Sequence, residues 1–398
     1  VQEITQKQVR NGWKLNVGQA IYLVATLKEK LYDLEDAVHR VFRPLPTFVK
    51  EVRPKVKKDG TIYVVGLKFL GDQGSSIAGD FSRIDYPEFN LGSRQQIGRH
   101  LQHFGWKPCQ HTEHGQPIVN EKVLMGIKDI PEATLISEYL MVQKRRAQVE
   151  SWIEAADEDT ERVHGQVNTN GAVTGRMTHS KPNVAQVPAS RAPYGAECRG
   201  CWTVPEGYKL VGFDASGLEL RMLAHYMNDE EYTNEVINGD IHTANQKLAG
   251  LESRNQAKTF IYAFLYGAGD KKIGSIAGGG VEEGKKLKEN FLNNTPSLKK
   301  LRERVAKASD KGYLKGLDGR VIRVRSQHAS LNFLLQSAGA IISKRAWELF
   351  NNMAEYEGFK YKQLGVIHDE IQIECSPNDA EAIGYLIVDA MEMTTEYY

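Results

Sequence analysis

The sequence predicts an α+β fold that is divided into two or three subdomains. Its 398 residues exceed what a single hydrophobic core usually holds. Helical patterns occupy most of the chain, whereas two short apolar segments that carry acidic residues, 209–214 and 365–375, are typical of strands. Hydrophobic residues make up 41% and charged residues 25%, as in ordinary globular proteins. The net charge of +1 gives no sign of a nucleic-acid ligand, so only local clusters of charge can indicate one.

Helices are predicted in the first part of the chain over 1–11, 17–42, 90–104 and 132–155. The second of them has apolar residues near helical spacing, namely Ile21, Val24, Leu27, Leu31 and Leu34. No apolar run approaches the ~18 residues that a membrane span needs, and the first residues lack the basic and apolar regions of a secretory signal. The sequence therefore predicts a cytoplasmic protein.

Residues 43–87 are predicted to form a basic, partly β insertion between these helices. Pro44, Pro46 and Pro54 interrupt helix, and seven Lys or Arg face two acidic residues between 43 and 71. Asp59-Gly60 before the alternating stretch 63–67 is a hairpin signal. Such an insertion either contacts a nucleic-acid backbone, binds a partner protein or is a solvated surface loop.

Residues 167–188 are predicted to form a loop, because they are dense in Asn, Thr, Gly and Gln. The same side chains offer donors for the minor-groove acceptors that all base pairs share. Cys198 and Cys201, which follow this loop, have the spacing of a redox motif or of half a zinc site. Since no second pair completes a four-ligand site, the sequence argues against a metal or redox role for them.

Residues 209–214 are predicted to form a buried strand that ends in Asp214. A helix follows, with Ser216 as its N-cap and Glu219 three residues further on. A carboxylate at a strand-to-helix junction is well placed to bind a metal ion. For such an Asp taken alone, helix capping or a surface turn is the simpler interpretation.

The helix predicted from 254 carries Arg254, Lys258, Tyr262 and Tyr266 at every fourth position. That spacing places the four side chains in one stripe along a helix. Cations hold phosphate oxygens and flat rings stack on bases, and a helix N-terminus favours an anion. The stripe therefore suits a nucleoside triphosphate, although a surface helix with solvated cations and packed tyrosines has the same pattern.

The C-terminal third begins with a glycine-rich connection at 278–280 and a basic stretch at 299–315, where seven Lys or Arg face two acidic residues. A turn at 316–320 is predicted to lead into a strand with Arg323 and Arg325. Helices are predicted over 332–353, with Gln336 near the start, and over 377–395.

Residues 365–375 are predicted to form two strands joined by a tight turn that presents His368, Asp369 and Glu370. Two adjacent acids flanked by buried strands are costly unless a cation or solvent compensates them. Asp214 and Asp369 lie 155 residues apart. If the two strands share a sheet, the two carboxylates can bridge two divalent ions, which support in-line phosphoryl displacement. The sum of these features predicts a nucleotidyltransferase.

The same residues resemble motifs of the family A (Pol I-type) DNA polymerases. Residues 214–221 resemble motif A, 254–267 motif B and 366–370 motif C, while 174–188 and 335–339 resemble further stretches of the family. The amino-acid sequences of 170–176, 258–270 and 316–320 are similar to those of the replicative polymerases of T-seven-type bacteriophages. The resemblance covers nearly the whole chain, and five motifs in the family's order make it specific.

The resemblance implies a right-hand polymerase fold, with a palm built on an antiparallel sheet and with helical fingers and thumb. It assigns 1–165 to the thumb, including the insertion at 43–87, and 166–230 to the palm. It assigns 231–315 to the fingers and 316–398 to the palm again. Relatives end with a further strand-rich segment that this sequence lacks, and no exonuclease motifs precede the thumb-like helices, so we expect no proofreading by this chain.

The resemblance also implies roles for single residues. Asp214 and Asp369 bind two Mg²⁺ ions with help from the carbonyl of Ala215, and Glu370 lies close by in support. His242, Arg254 and Lys258 hold the triphosphate, and Lys258 protonates the leaving pyrophosphate. Tyr262 stacks on the incoming nucleotide, and Glu219, bonded to Tyr266, blocks a ribose 2′-OH. The remaining residues contact the DNA near the primer terminus: Arg176, Asn183, Gln186, Arg320, Gln336 and His368.

Primer–template DNA and dNTPs are the partners that this resemblance implies. The insertion at 43–87 lies where phage relatives bind a host thioredoxin as a processivity factor, so a thioredoxin-like factor is the expected protein partner. The insertion differs in sequence from theirs, which leaves that partner open.

Three other functions compete with DNA synthesis. A single-subunit RNA polymerase shares the palm and the fingers helix, but Glu219 and Tyr266 argue against it. A catalytically idle nucleic-acid-binding module is disfavoured because all the expected metal and triphosphate residues are present. A two-metal nuclease would have no use for the stripe from Arg254 to Tyr266.

Overall fold

The computed structural model describes residues 1–63, 67–71 and 79–398, and it divides them into two compact units. One unit comprises 1–19 together with 151–398, and the other comprises 20–150. Part of the alternating stretch predicted at 63–67 lies outside the described residues. No helix in the described ranges is both long and apolar enough to cross a membrane.

The secondary structure of the described residues is mainly helical. The helices are α1 (Gln2–Asn11), α2 (Val17–Val41), α3 (Arg94–His103), α4 (Glu121–Met125), α5 (Pro131–Ala155), α6 (Gly195–Gly200), α7 (Leu218–Met227), α8 (Glu230–Ile237), α9 (Ile241–Ala249), α10 (Arg254–Leu265), α11 (Asp270–Ile276), α12 (Val281–Asn294), α13 (Pro296–Ser309), α14 (Ser330–Tyr356) and α15 (Ala380–Tyr397). The strands are β1 (Trp13–Leu15), β2 (Thr47–Val52), β3 (Phe81–Asp85), β4 (Arg162–Val163), β5 (Gln166–Asn168), β6 (Thr178–Ser180), β7 (Trp202–Thr203), β8 (Lys209–Asp214), β9 (Tyr313–Lys315), β10 (Val321–Arg323), β11 (Tyr361–Ile367) and β12 (Glu370–Cys375).

The helices predicted at 17–42, 90–104 and 132–155 correspond to α2, α3 and α5, whereas α4 was not predicted. The Ser93 hydroxyl accepts a hydrogen bond from the Gln96 amide and starts α3. On α2, Val24, Leu27, Leu31 and Leu34 are buried as expected, but Ile21 is 54% exposed. Leu23 is buried instead, because it lies about 40° from Leu27 around the helix and Ile21 lies about 120° away.

The predicted insertion does contain β structure. Strands β2 and β3 pair antiparallel, with Thr47 opposite Asp85. Several large apolar side chains of this region point to solvent, among them Phe48, Val49 and Ile84. The basic insertion therefore also presents an apolar surface.

The other unit has a three-stranded antiparallel sheet in the order β11–β12–β8. Ile371 and Ile373 of β12 are fully buried in a core with Trp347 and Phe350 of α14. Helix α15 packs against both α14 and β8. The strand predicted at 209–214 is β8, but its predicted burial was wrong: β8 lies at the edge of this sheet, so its residues are exposed or only half-buried.

Two local predictions on either side of β8 need correction. Ser216 is not the N-cap of α7, because the turn after β8 needs a residue with positive φ, which Gly217 (φ 63°) supplies. The helix therefore starts at Leu218, and no side chain caps it. Residues 167–188 are also more than a loop, since β5 and β6 pair as a short hairpin and Val184–Gln186 form a 3-10 turn.

Helices α7 to α13 surround a second large core in this unit. Phe260 and Phe264 of α10 contact the ring of Phe291 in α12 edge to face. The glycine-rich connection at 278–280 lies between α11 and α12, and the turn at 316–320 joins β9 to β10, both as predicted. The buried side of α10 leaves its opposite side free for the stripe of Arg254 and Lys258.

A buried ion pair ties the sheet to the start of the chain. Arg162 Nη2 lies 2.8 and 2.7 Å from the two carboxylate oxygens of Glu374, and the side chains are 9% and 1% exposed. Arg162 Nη1 also donates to the carbonyls of Asn11 and Gly12. Without Glu374, the Arg162 charge would stay buried and lose its carboxylate partner.

We therefore expect Glu374→Gln to lower the free energy of unfolding by about 3–5 kcal/mol, as for other broken buried pairs. Glu355→Gln is the control, because the pair of Glu355 with Lys7 has side chains that are 60% and 43% exposed. Its loss should cost less than about 1 kcal/mol. Urea unfolding measures both, and equal losses would contradict this role of the buried pair.

Candidate active site

The sheet register places the two predicted metal-binding carboxylates next to each other. Asp214 is the last residue of β8 and lies opposite Glu370, the first residue of β12. Asp369 immediately precedes Glu370, and its carbonyl accepts a hydrogen bond from the Ala215 amide at 3.2 Å. The tight turn between β11 and β12 consists of His368 and Asp369, with His368 in the left-handed region (φ 61°). The predicted convergence of residues 155 positions apart is thus present in the fold.

The electrostatics of this pair favour a bound cation. Loss of surrounding water, followed by the Asp369 carboxylate, raises the pKa of Asp214. Partial burial raises the pKa of Asp369 as well, against the opposing effects of Arg176 and His368. Among the described residues, no Lys or Arg forms an ion pair with either carboxylate. Two carboxylates without a cation partner are costly to hold together.

The donor set fits a hard divalent ion. Mg²⁺ prefers oxygen ligands and commonly takes one or two carboxylates together with substrate phosphates and water. Asp214 and Asp369 supply carboxylates, and the Ala215 carbonyl keeps a lone pair beside its long bond from the Leu218 amide at 3.3 Å. Within the described ranges, no group of three or more His, Cys, Asp and Glu side chains is arranged to hold a metal ion. Cys198 and Cys201 are both buried.

The predicted stripe lies on one side of α10. Arg254 and Lys258 are exposed at its N-terminal end, where Ser253 and Gln256 form a reciprocal capping box. The rings of Tyr262 and Tyr266 follow, with centroids 6.5 Å apart. Tyr266 is the residue that caps the C-terminus. The exposure of the two cations fits both a triphosphate-binding stripe and a surface helix with solvated cations.

His242 joins this stripe from α9. Its ring centroid lies 6.3 Å from that of Tyr262. Burial, together with the nearby Arg254 and Lys258 cations, lowers the pKa of His242. The ring is therefore held in its neutral form, in which one nitrogen donates a hydrogen bond.

The sequence did not reveal the partner of Arg254. The Arg254 guanidinium binds Asp240 through two hydrogen bonds, Nε to Oδ2 at 2.6 Å and Nη2 to Oδ1 at 3.0 Å. Asp240 is also the N-cap of α9, and Arg254 lowers its pKa well below the usual value. Arg254, which is predicted to bind the triphosphate, is thus paired with a carboxylate when no anion is bound.

Glu219 contacts Tyr266, as the resemblance implied. The Tyr266 hydroxyl donates to Glu219 Oε2 at 3.0 Å, and Arg176 Nη2 lies 2.9 Å from Glu219 Oε1. Burial and the Glu219 carboxylate raise the pKa of Tyr266 to about 12. The contact with Arg176 was not predicted, because two residues 43 positions apart leave no periodic signal.

The stripe and the carboxylate pair face the same space. After burial, the Glu219 and Asp369 carboxylates are the causes that raise the pKa of Tyr262. Arg176 and Glu219 likewise influence the ionisation of Asp369. The Tyr262 ring and the carboxylates of Glu219 and Asp369 therefore lie near one another.

The residues expected at the DNA differ in their local contacts and burial. Asn183 accepts a hydrogen bond from the Ala185 amide and caps the 3-10 turn that ends with Gln186. Arg320 donates twice to Asp318 across the turn before β10. Gln336 is half-buried in the second turn of α14, and His368 is exposed at the β11–β12 turn.

A family profile, sequence relatives and a solved structure all relate this chain to DNA polymerases. The profile of DNA polymerase family A matches residues 69–397. The DNA-directed DNA polymerase of Enterobacteria phage T3 is 40% identical over 411 residues, covering 90% of this chain and 58% of the relative. That of Escherichia phage T7 is 40% identical over 404 residues, covering 89% of this chain and 56% of the relative. The chain thus spans little more than half the length of these relatives.

A solved structure has the same fold. The POL domain of Pol1 from M. smegmatis, in a complex with DNA primer-template and dNTP, matches with a TM-score of 0.79. The match covers 99% of this chain and 67% of the other, at 19% identity. The predicted α+β right-hand fold is confirmed, whereas the residue ranges assigned to thumb, palm and fingers stay predictions.

We expect Asp369→Asn to raise the melting temperature of the metal-free protein at pH 7. A folded carboxyl with a raised pKa costs stability once it ionises, so stability is lost as pH rises from the unfolded value, about 3.9, through the folded one. Below both values the difference should vanish. Calorimetry in the presence of a metal chelator measures the melting temperatures. Asp389→Asn, on the exposed side of α15, is the control. An Asp369→Asn variant less stable than wild type at pH 7 would contradict this prediction.

Proposed function

The chain belongs to DNA polymerase family A, and we propose that it adds dNTPs to the 3′-OH of a DNA primer under the direction of a DNA template, with release of pyrophosphate. One observation carries the proposal: the register of β8 and β12 sets Asp214 beside Asp369, within electrostatic reach of the Tyr262 ring. That arrangement combines a cation site with a nucleotide-binding helix face. The activity of the phage relatives, named as DNA-directed DNA polymerases, supports it.

We assign the binding of two Mg²⁺ ions to Asp214, Asp369 and the Ala215 carbonyl, with Glu370 in support. When bound, such a pair of ions stabilises the attacking and leaving oxygens of an in-line phosphoryl displacement. Backbone hydrogen bonds of the sheet fix the main chain that carries both carboxylates, so little backbone reorganisation is needed on binding.

The triphosphate is held by Arg254, Lys258 and His242 in this proposal. Arg254 exchanges Asp240 for phosphate oxygens, to which a guanidinium also binds through two hydrogen bonds. The neutral His242 ring donates to a further oxygen, and the Lys258 ammonium transfers a proton to the leaving pyrophosphate. The N-terminus of α10 stabilises the same anion.

The sugar and base are selected by the ring stripe and Glu219. Tyr262 stacks on the incoming base. Glu219, fixed by Tyr266 and Arg176, occupies the space that a ribose 2′-OH would need. This contact favours DNA synthesis over the alternative of a single-subunit RNA polymerase.

Arg176, Asn183, Gln186, Arg320, Gln336 and His368 form the proposed contacts with the primer–template. All base pairs present hydrogen-bond acceptors in the minor groove. Whether a side chain can reach these acceptors depends on the shape of the pair. These residues would therefore monitor pairing at the primer terminus without reading sequence.

A thioredoxin-like processivity factor remains our proposed partner for the insertion at 43–87. In its described part, exposed Phe48 and Ile84 accompany the basic residues of β2 and β3. Apolar side chains on an exposed hairpin suit a protein partner better than a nucleic-acid backbone.

Extension of a labelled primer on a DNA template with Mg²⁺ and dNTPs tests the proposed function. We expect wild type to extend the primer and Asp369→Asn to be slower by about a thousandfold or more, since a lost metal interaction is worth several kcal/mol. Asp389→Asn should be as active as wild type. If wild type binds primer–template without extending it, the proposed activity is wrong for this chain.

Replacing Glu219 by Ala should weaken the rejection of ribonucleotides by about tenfold or more, because the side chain that fills the 2′ position is gone. The measurement is the ratio of kcat/KM for dATP to that for ATP. Tyr266→Phe keeps Glu219 but removes one of its hydrogen bonds, so its effect should be smaller. Unchanged selectivity in Glu219→Ala would rule out the role of Glu219 in rejecting ribonucleotides.

Tyr262 should allow ready incorporation of dideoxynucleotides. Its hydroxyl forms no hydrogen bond to another described residue and is free to replace the missing 3′-OH. We expect Tyr262→Phe to discriminate against ddTTP by at least about tenfold more than wild type in competition with dTTP. Equal ratios of incorporation in the two proteins would refute this role.

A further inference from the structure

Lys344 of α14 reaches across to a segment 170 residues earlier in the chain. Its Nζ lies 2.6 Å from the Thr169 carbonyl, 2.8 Å from Asn170 Oδ1 and 2.6 Å from the Gly175 carbonyl. An ammonium has three N–H donors. All three are thus directed at one short piece of chain, residues 169–176, which we call the Arg176 segment.

The Arg176 segment is a compact turn closed on several sides. The Gly175 amide donates to the Ala172 carbonyl at 2.9 Å, and Gly175 has φ +79°. A side chain there would meet the Arg320 guanidinium, because a Cβ would lie 2.6 Å from Nη1. Glycine is therefore required at 175, and Lys344 and Arg320 both approach the segment.

Holding a lysine at this position is electrostatically unfavourable. Burial, and then the Arg320 cation, lowers the pKa of Lys344 to about 8, although Asp318 opposes the shift. A group kept in such surroundings costs stability at neutral pH. Its three hydrogen bonds must therefore serve the position of the segment more than the stability of α14.

The segment ends at Arg176, which contacts Glu219, the residue proposed to reject ribonucleotides. The Gly175 carbonyl belongs to the peptide group that joins Gly175 to Arg176, so Lys344 anchors the backbone of Arg176 itself. Arg176 in turn contacts Glu219 at 2.9 Å, and Tyr266 completes the group. The path from Lys344 to Glu219 thus consists of one anchored peptide and one ion pair.

We propose that Lys344 is a positioning residue that fixes Arg176 against Glu219 and thereby sets both sugar selectivity and the alignment of the primer terminus. The proposal deepens the proposed function and rests on it. Lys344 touches neither substrate nor metal ion. Its influence passes through the Arg176 segment. The residues proposed to bind the triphosphate lie on α9 and α10, which are separate from this segment.

The test compares Lys344→Met, Lys344→Arg and Asn170→Ala with Lys14→Met. Lys14 is the control, because its Nζ also donates to a main-chain carbonyl, that of Thr160 at 3.0 Å, as well as pairing with Glu161, and both partners lie outside the Arg176 segment. Asn170 is exposed and outside the helix, so its replacement removes one of the three contacts without disturbing the core. It keeps the proposal testable if Lys344→Met does not fold.

For Lys344→Met we expect kcat and the selectivity for dATP over ATP each to fall about tenfold, with the KM for dATP within about twofold of wild type. Lys344→Arg, which keeps charge and donors, should restore most of the loss, and Asn170→Ala should show a smaller loss in the same direction. Hydrogen exchange of residues 168–178 should be faster in Lys344→Met and unchanged in Lys14→Met.

The pH dependence gives an independent comparison. Lys344 faces Arg320 and Asp318 of the turn before β10, and the residues of the segment from 169 to 175 do not titrate. Deprotonation above pH about 8 removes its charge and one donor. The dATP/ATP selectivity of wild type should therefore decline above this pH, whereas that of Lys344→Arg should stay level; a ratio cancels the pH dependence that both substrates share.

Selectivity and kcat of Lys344→Met equal to those of Lys14→Met would overturn the proposal, and so would equal losses in Lys344→Arg and Lys344→Met. Failure of wild type to extend a primer would instead refute the proposed function. In that case unchanged hydrogen exchange in the Arg176 segment would still refute the anchoring by Lys344.

Discussion

The backbone register between β8 and β12 is the constraint on which the candidate site depends. It sets Asp214 opposite Glu370 and brings Asp369 against the Ala215 amide. A shift of one residue would turn these side chains to the other face of the sheet. The register is fixed by the core side of β12, where Ile371 and Ile373 are fully buried against Trp347 and Phe350. The apolar face of the strand therefore determines where its carboxylates lie.

The charged groups around the sheet are mostly neutralised by one another. Arg254 pairs with Asp240, Arg176 with Glu219, and Arg320 with Asp318. Asp214 and Asp369 are different, since no described Lys or Arg forms an ion pair with them. In the proposed function Arg254 exchanges its carboxylate partner for phosphate oxygens, whereas the two unpaired carboxylates bind cations. This asymmetry suits a site that receives an anionic nucleotide together with divalent ions.

Periodicity and residue type predicted the long helices α2, α5 and α14, the hairpin with acidic residues at its turn and the stripe on α10, because each of these is a local pattern. The contacts of Arg254 with Asp240 and of Arg176 with Glu219 were not predictable, since side-chain pairs between separate segments leave no spacing to detect. The burial of β8 was misjudged because an apolar run does not tell an edge strand from a central one. Ser216 has the residue type of an N-cap, but the turn after β8 requires the positive φ of Gly217.

The most direct test of this account is the number of divalent ions that Asp214 and Asp369 hold together. Electron paramagnetic resonance can count bound Mn²⁺ in the complex of the protein with a dideoxy-terminated primer–template and the next dNTP. We expect two ions per chain in wild type and fewer in both Asp214→Asn and Asp369→Asn, because one pair of carboxylates serves both ions. Two ions bound as tightly in either variant would contradict the claim that the β8–β12 register builds the metal site.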